Sequence, residues 1–273
     1  MRIYKIEEIL GKLENCIEYK RPFSHIRFGD GGIKYIHAVL FDDKEQLSII
    51  VKKEGIPSNK ILQVFELWGY YARRADFIDT AEVYFTGEFW PRVWAIGKPI
   101  SEKTYERLSL WRDLYSRAEF DNEKYCNPES NYLMITRMEG KRNILDVMKG
   151  KRIGLITARP EVKGRLKDFD ITVVSIVGHY QNQYKNSFEK VVEEIQNTAR
   201  DYDFWLVAAG ELGRLYTGII KENGGRAIDI GFVIEYWLGQ RINRRFMSYL
   251  ENSHNNKLEL KLGSQGKKYE GYI

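Results

Sequence analysis

The sequence predicts an α/β protein built on one mostly parallel sheet with helices on its faces, and three observations carry that expectation. Four short apolar runs lie in the second half, RIGLIT at 152–157, ITVVSI at 171–176, FWLVAA at 204–209 and RAIDI at 226–230, with helical patterns or loops between them. Near-continuous apolar strands of this kind are buried on both faces, as in a parallel sheet. A composition of 43% hydrophobic and 30% charged residues over 273 positions can build a sizeable core and fits neither a disordered nor a fibrous chain. No internal repeat or low-complexity linker divides it, so residues 1–252 are expected to form one domain, followed by a polar tail at 253–273.

In chain order, IEEILGKLENCI shows helical spacing, and SHIRF reads as a strand entering a glycine turn at 29–32. GIKYIHAVL, residues 32–40, reads as the helix leaving that turn, and ILQVFELWGYYARR as the next helix. The aromatic stretch 82–94, with Gly87 and Pro91, reads as mixed loop and turn. Asn143 is placed to cap the short helix ILDVM, with Gly150 just past its end, feeding the strand at 152. Ser187 is a candidate cap for a helix whose apolar stripe is Phe188, Val191, Val192, Ile195 and Ala199. A further helix runs from Leu212 through Leu215, Tyr216, Ile219 and Ile220 to the glycine pair Gly224 and Gly225.

Several function classes recede on composition. No apolar run approaches the ~18 residues of a membrane-spanning helix, and the opening residues lack the pattern of a signal peptide, so a cytoplasmic location is expected. Cys16 and Cys126 stand far apart with no CxxC pattern, which speaks against a disulfide framework or a zinc site. The formal charge of +5 is mild, and its paired basic residues suit a phosphorylated ligand or an ordinary solvated surface.

In open α/β sheets, ligands collect at the carboxyl ends of strands. The turn at Gly210, after a strand and before a helix, offers free N–H groups and small neighbours to a phosphate, or is simply a tight turn. Glu211 beside it could hold a metal, orient a sugar hydroxyl, act as a general base or complement the helix dipole. Asp229 and Glu235 suit hydroxyl binding or proton abstraction, with helix capping as the alternative for Asp229. Arg27 and Arg159 adjoin turns where a guanidinium can clamp a phosphate, and Arg27 could instead pair with Asp30. His179 is a weaker catalytic candidate, since a lone loop histidine is usually just hydrogen-bonded.

These residues fall into a familiar order. RFGDGGI, beginning at Arg27, resembles the RFGDGE signature of the GT-D-type glycosyltransferases, and AIDIGFVIEYWLG at 227–239 resembles their C-terminal DIG segment. Between them lie a TR pair, Thr136 and Arg137, and the strand GKRIGLI, so the likeness spans roughly residues 20 to 240. The resemblance implies a single GT-D-like domain that transfers a sugar from a nucleotide donor, typically a UDP-sugar, with inversion. It further implies that Asp30 faces a divalent metal, Mn2+ or Mg2+, and the donor diphosphate. Arg27, Gly29, Gly31, Arg137, Arg159 and Gly210 would form the donor-binding set, and Asp30, Glu211, Asp229 and Glu235 the catalytic set.

Two positions depart from the family pattern. Gly32 stands where the second acidic residue of the triplet belongs, so Asp30 acts alone, another carboxylate such as Glu211 serves, or metal dependence is lost. Phe232 follows DIG where relatives carry a polar residue. The expected acceptor is a glycan or glycoconjugate. Eighteen tyrosines and six tryptophans among paired basic residues leave a nucleic-acid acceptor as an alternative, and loss of the glutamate leaves a non-catalytic nucleotide-sugar-binding protein as another.

Overall fold

The structure, a computed structural model, describes residues 3–4, 6–28, 38, 43–80, 125–126, 142–178, 181–231 and 233–239. Its strands are β1 (Ile3–Tyr4), β2 (Phe23–Phe28), β3 (Phe77–Thr80), β4 (Tyr125–Cys126), β5 (Arg152–Thr157), β6 (Asp170–Ser175), β7 (Phe204–Ala208) and β8 (Arg226–Asp229). They form one eight-stranded sheet in the order β1-β4-β3-β2-β8-β7-β5-β6. Every pairing among the described residues is parallel. The α/β class and the parallel sheet expected from the sequence are therefore present.

The helices are α1 (Ile6–Glu18), α2 (Lys44–Glu54), α3 (Ile61–Arg74), α4 (Ile144–Met148), α5 (Glu189–Thr198), α6 (Gly213–Glu222) and α7 (Val233–Trp237). They divide between two cores. Ile9, Leu13, Leu145, Val233 and Trp237 place α1, α4 and α7 on one face, while Trp68, Ile195, Leu215 and Tyr216 place α3, α5 and α6 on the other. The division follows from handedness. Connections stepping toward β6 cross the α1 face and those stepping toward β1 cross the α6 face, as right-handed crossovers between parallel strands require.

Strand β7 shows why these residues make a central strand. Phe204, Leu206 and Ala208 enter the α1-face core, Trp205 and Val207 enter the α6-face core, and all five are buried. Alternate side chains point to opposite faces, so a strand with both faces covered must be apolar throughout. Trp205 lies across its register partner Gly154 on β5, where a Cβ would overlap the indole ring.

Helix ends follow local chemistry. Asn143 accepts from Leu145 N at 2.9 Å while Asp146 accepts from Asn143 N at 3.1 Å, closing a capping box at α4 as the sequence suggested. Helix α2 went unforeseen, although Asp43 accepts from Gln46 N and Gly55 closes the other end at φ +71°. The Ser187 expectation is corrected. The helical path starts earlier, through a wide π-type turn over Tyr184–Phe188, and the Ser187 hydroxyl accepts from Val177 N at 3.1 Å instead of capping α5. Of the expected helix 32–40 only Ala38 is among the described residues, buried in the α6-face core. The loop expected at 82–94 and the tail at 253–273 lie outside them.

Candidate functional site

The carboxyl ends of β2, β8 and β7 are adjacent, and their chains leave in different directions. From β7 the chain turns through Gly210 at φ +55° and one 3-10 turn, Gly210–Leu212, into α6 on one face. From β8 it turns through Gly231 at φ +49° into α7 on the other face. In an open α/β sheet, strand ends whose chains exit to opposite faces are the usual place for a ligand.

Side chains reach this edge from both faces. Arg27, half-buried near the end of β2, donates through Nη1 to the Ile230 carbonyl at 3.2 Å. A Cβ at Gly231 would collide with the same nitrogen, so glycine there both supplies the left-handed turn and admits the guanidinium. Asp229, the last residue of β8, is 4% exposed, and its Oδ1 accepts from Gly231 N at 3.0 Å. Gly213, the first residue of α6, lies beside it, where even a Cβ would stand in ordinary van der Waals contact with Asp229 Oδ2, at 3.6 Å.

Burial pushes the Asp229 carboxyl up from 3.8 to about 6. The charges of Arg27 and Arg214 and the Gly231 N–H pull it down, and Glu211 pushes it further up. A carboxyl in that range exchanges protons near neutral pH, which suits a general base. His25, two residues before Arg27 and fully buried, is driven the other way, to about 3, by burial and then by the Arg27 charge. It is neutral at physiological pH.

Glu211 is buried and ion-paired through Oε2 with Arg214 Nη1. Arg214 also donates through Nε to the Arg27 carbonyl at 2.6 Å, and its guanidinium lies 4.5 Å from the centroid of the Trp68 ring. Gln183 approaches the same turn, donating to the Ala209 carbonyl at 3.4 Å from a side chain only 2% exposed. Sequence reasoning missed both residues. For Arg214 a signal existed: a glutamate and an arginine three apart at the start of an otherwise apolar helix.

The structure thus brings together four of the expected residues, Arg27, Gly210, Glu211 and Asp229. Glu235 lies in the first turn of α7, half-buried on the α1 face. Arg159 leaves β5, two strands along from β8, with an exposed side chain 3.8 Å from Glu161. Asp30, Gly29, Gly31, Arg137, His179 and Phe232 lie outside the described residues. Among the described residues no cluster of three or more His, Cys, Asp or Glu side chains is placed to hold a metal. Glu211 is committed to Arg214, and Asp229 lies buried between guanidinium charges, so these two carboxylates do not fit a Mn2+ or Mg2+ site.

No helix among the described residues is long and apolar enough to cross a membrane. No protein-family model matches the sequence, and no curated protein matches it. The chain is similar to a solved structure of the highly conserved domain of unknown function 1792, described as having a distinct glycosyltransferase fold. That likeness has a TM-score of 0.49 at 14% identity and covers 91% of this chain and 94% of the other.

Proposed function

We propose that this protein is a glycosyltransferase that moves a sugar from a nucleotide donor, a UDP-sugar, to a glycan or glycoconjugate acceptor with inversion. One observation carries the reading. The two segments that resemble the GT-D signature are about 200 residues apart in sequence, yet Arg27 of RFGDG hydrogen-bonds the Ile230 carbonyl inside DIG and packs against Gly231. Adjacent parallel strands carry both segments to one edge.

In this reading the donor diphosphate lies across the carboxyl ends of β2, β8 and β7. Cleaving the bond between the anomeric carbon and the diphosphate sends its electron pair to the leaving group. The Arg27 guanidinium and the backbone N–H groups entering α6 favour that negative charge. Asp229 takes the proton of the acceptor hydroxyl as the new glycosidic bond forms, and its raised pKa keeps it a competent base near neutral pH. Glu211, neutralised by Arg214, shapes the turn. Any metal would rest on Asp30, and no step above passes through one.

The test is thermal melting with a panel of UDP-, GDP-, dTDP- and CMP-sugars, each with and without manganese. A ligand at a hundred times its Kd stabilises the native state by ~2.7 kcal/mol. A UDP-sugar is expected to raise Tm, Asp30→Ala to weaken that shift, and labelled sugar to pass to an acceptor. Binding without turnover would indicate the non-catalytic alternative, and a steep salt-dependent affinity for DNA the nucleic-acid acceptor. No shift with any nucleotide sugar overturns the proposal.

A further inference from the structure

We propose that Arg214 is the positioning residue of this site: from a platform on Trp68 it fixes the Glu211 carboxylate and the end of β2 in one geometry. The inference rests on the reading of this edge as the donor site. It adds a residue that neither the sequence motifs nor the resemblance point to.

Three contacts of different chemistry converge on one guanidinium. Nη1 pairs with Glu211, Nε donates to the Arg27 carbonyl at 2.6 Å, and the π face lies over Trp68 at 4.5 Å. The first contact holds the turn that leaves β7. The second holds the backbone of β2 at the residue from which the glycine turn departs. The third anchors both to α3, where Trp68 is 1% exposed. A planar fork can satisfy these demands together, whereas a lysine ammonium offers a point charge on a flexible stem.

The platform is itself closely packed. Arg214, Gly218 and Glu222 fall at i, i+4 and i+8 on α6, and all three face α3. Trp68 meets Arg214, the Tyr71 ring occupies the space a Cβ at Gly218 would fill, and the Tyr71 hydroxyl donates to Glu222 at 3.0 Å. A glycine in mid-helix draws the two helices together one turn from Arg214. The site end of the seam is thereby set by packing along its length.

A buried ion pair by itself is weak support for a functional role, because such pairs are often replaceable without loss. The experiment therefore separates positioning from stability. Arg214→Lys keeps a charge, Arg214→Met removes it, and Trp68→Phe weakens the platform while leaving every site charge in place. Two readouts are taken on each folded variant. The first needs no ligand: the titration midpoint of the Asp229 carboxyl, followed by carboxyl carbon NMR. Arg214→Met should raise it, while Arg214→Lys and Trp68→Phe leave it near the wild-type value. The second is the kcat and KM for release of UDP from the UDP-sugar identified by melting. Arg214→Lys and Trp68→Phe should lower kcat roughly ten- to a hundredfold with KM changed less than about threefold, the signature of misplaced groups. If no UDP-sugar binds the wild type, the donor reading fails, while the midpoint still reports whether Arg214 acts on Asp229. A lowered Tm with midpoint and kcat unchanged in Arg214→Met makes Arg214 a structural residue and overturns the proposal.

Discussion

At the scale of single residues, the site holds two buried titrating groups whose shifts oppose each other. Asp229 is raised from 3.8 to about 6, so its contribution to stability is full below about 3.8 and is lost as pH rises through 6. His25 is lowered from 6.5 to about 3, so its contribution is full above 6.5 and is lost as pH falls toward 3. Between pH 4 and 6 the two slopes cancel in part. Asp229→Asn should therefore leave a protein that loses stability steeply on acidification through this window. At pH 7.5 it should be more stable than the wild type by up to ~3 kcal/mol, the cost of holding an ionised carboxylate in this place. His25→Gln should show the reverse, gaining stability as pH falls from 6 to 4. Urea denaturation at half-unit pH steps checks both, and parallel slopes in all three proteins would count against the two assignments. Activity provides an independent check. If Asp229 is the base, kcat/KM rises through pH 6 in the wild type, and Asp229→Asn abolishes that limb along with most of the turnover, typically a loss of about 10²–10⁴-fold.

At the scale of elements, the α3–α6 seam is closely packed, with the Tyr71 ring in the space a Cβ at Gly218 would take. Gly218 costs α6 about 1 kcal/mol of helix propensity relative to alanine, a cost justified only by the close approach of Tyr71. Gly218→Ala should thus destabilise the protein by about 1–2 kcal/mol net, since overpacking outweighs the propensity gain. It should also lower turnover by tilting Arg214 away from Trp68, measurable as a fall in kcat larger than the change in Tm would suggest. The elements also show what the sequence made legible. β5 and β7 were readable because strands covered on both faces leave a near-continuous apolar run, β8 through Ala227, Ile228 and Ile230, and α4 because its capping box is written in Asn143 and Asp146. β1 and β4 pair over two residues each and β3 over four, too short for any period to register. Helix α2 mixes Lys52, Lys53 and Glu54 into a weak stripe, so only its caps, Asp43 and Gly55, announced it. In the site, Arg27 and Asp229 stood out because turn glycines flank them. Arg214 had only its spacing to Glu211 as a local signal, because its other partners are a carbonyl 187 positions away and an indole on another helix, which no local spacing records.

At the scale of the whole molecule, the sheet order 1-4-3-2-8-7-5-6 divides into an early half, β1 to β4, and a late half, β5 to β8, whose described strands meet where β2 pairs with β8, while the α3–α6 seam joins the halves on one face. The candidate site straddles that junction. Arg27 comes from the early half, Glu211, Arg214, Asp229 and Gly231 from the late half, and the bonds from Arg214 to the Arg27 carbonyl and from Arg27 to Ile230 cross between them. A ligand held there contacts both halves and must tighten both, because the opening that separates β2 from β8 also destroys the site. Hydrogen exchange with and without saturating UDP-sugar should show this directly. Peptides covering 23–28, 204–214 and 226–231 should gain protection together and by a similar factor. The edge strand 170–175, four strands along from β2 on the far side of β5 and β7, should not share in it beyond the global stabilisation. Protection confined to 204–231 would mean that the ligand sits on the late half alone, as an anion at the turn entering α6 would. Arg27 would then be a structural clamp on the DIG turn and not a contact to the diphosphate.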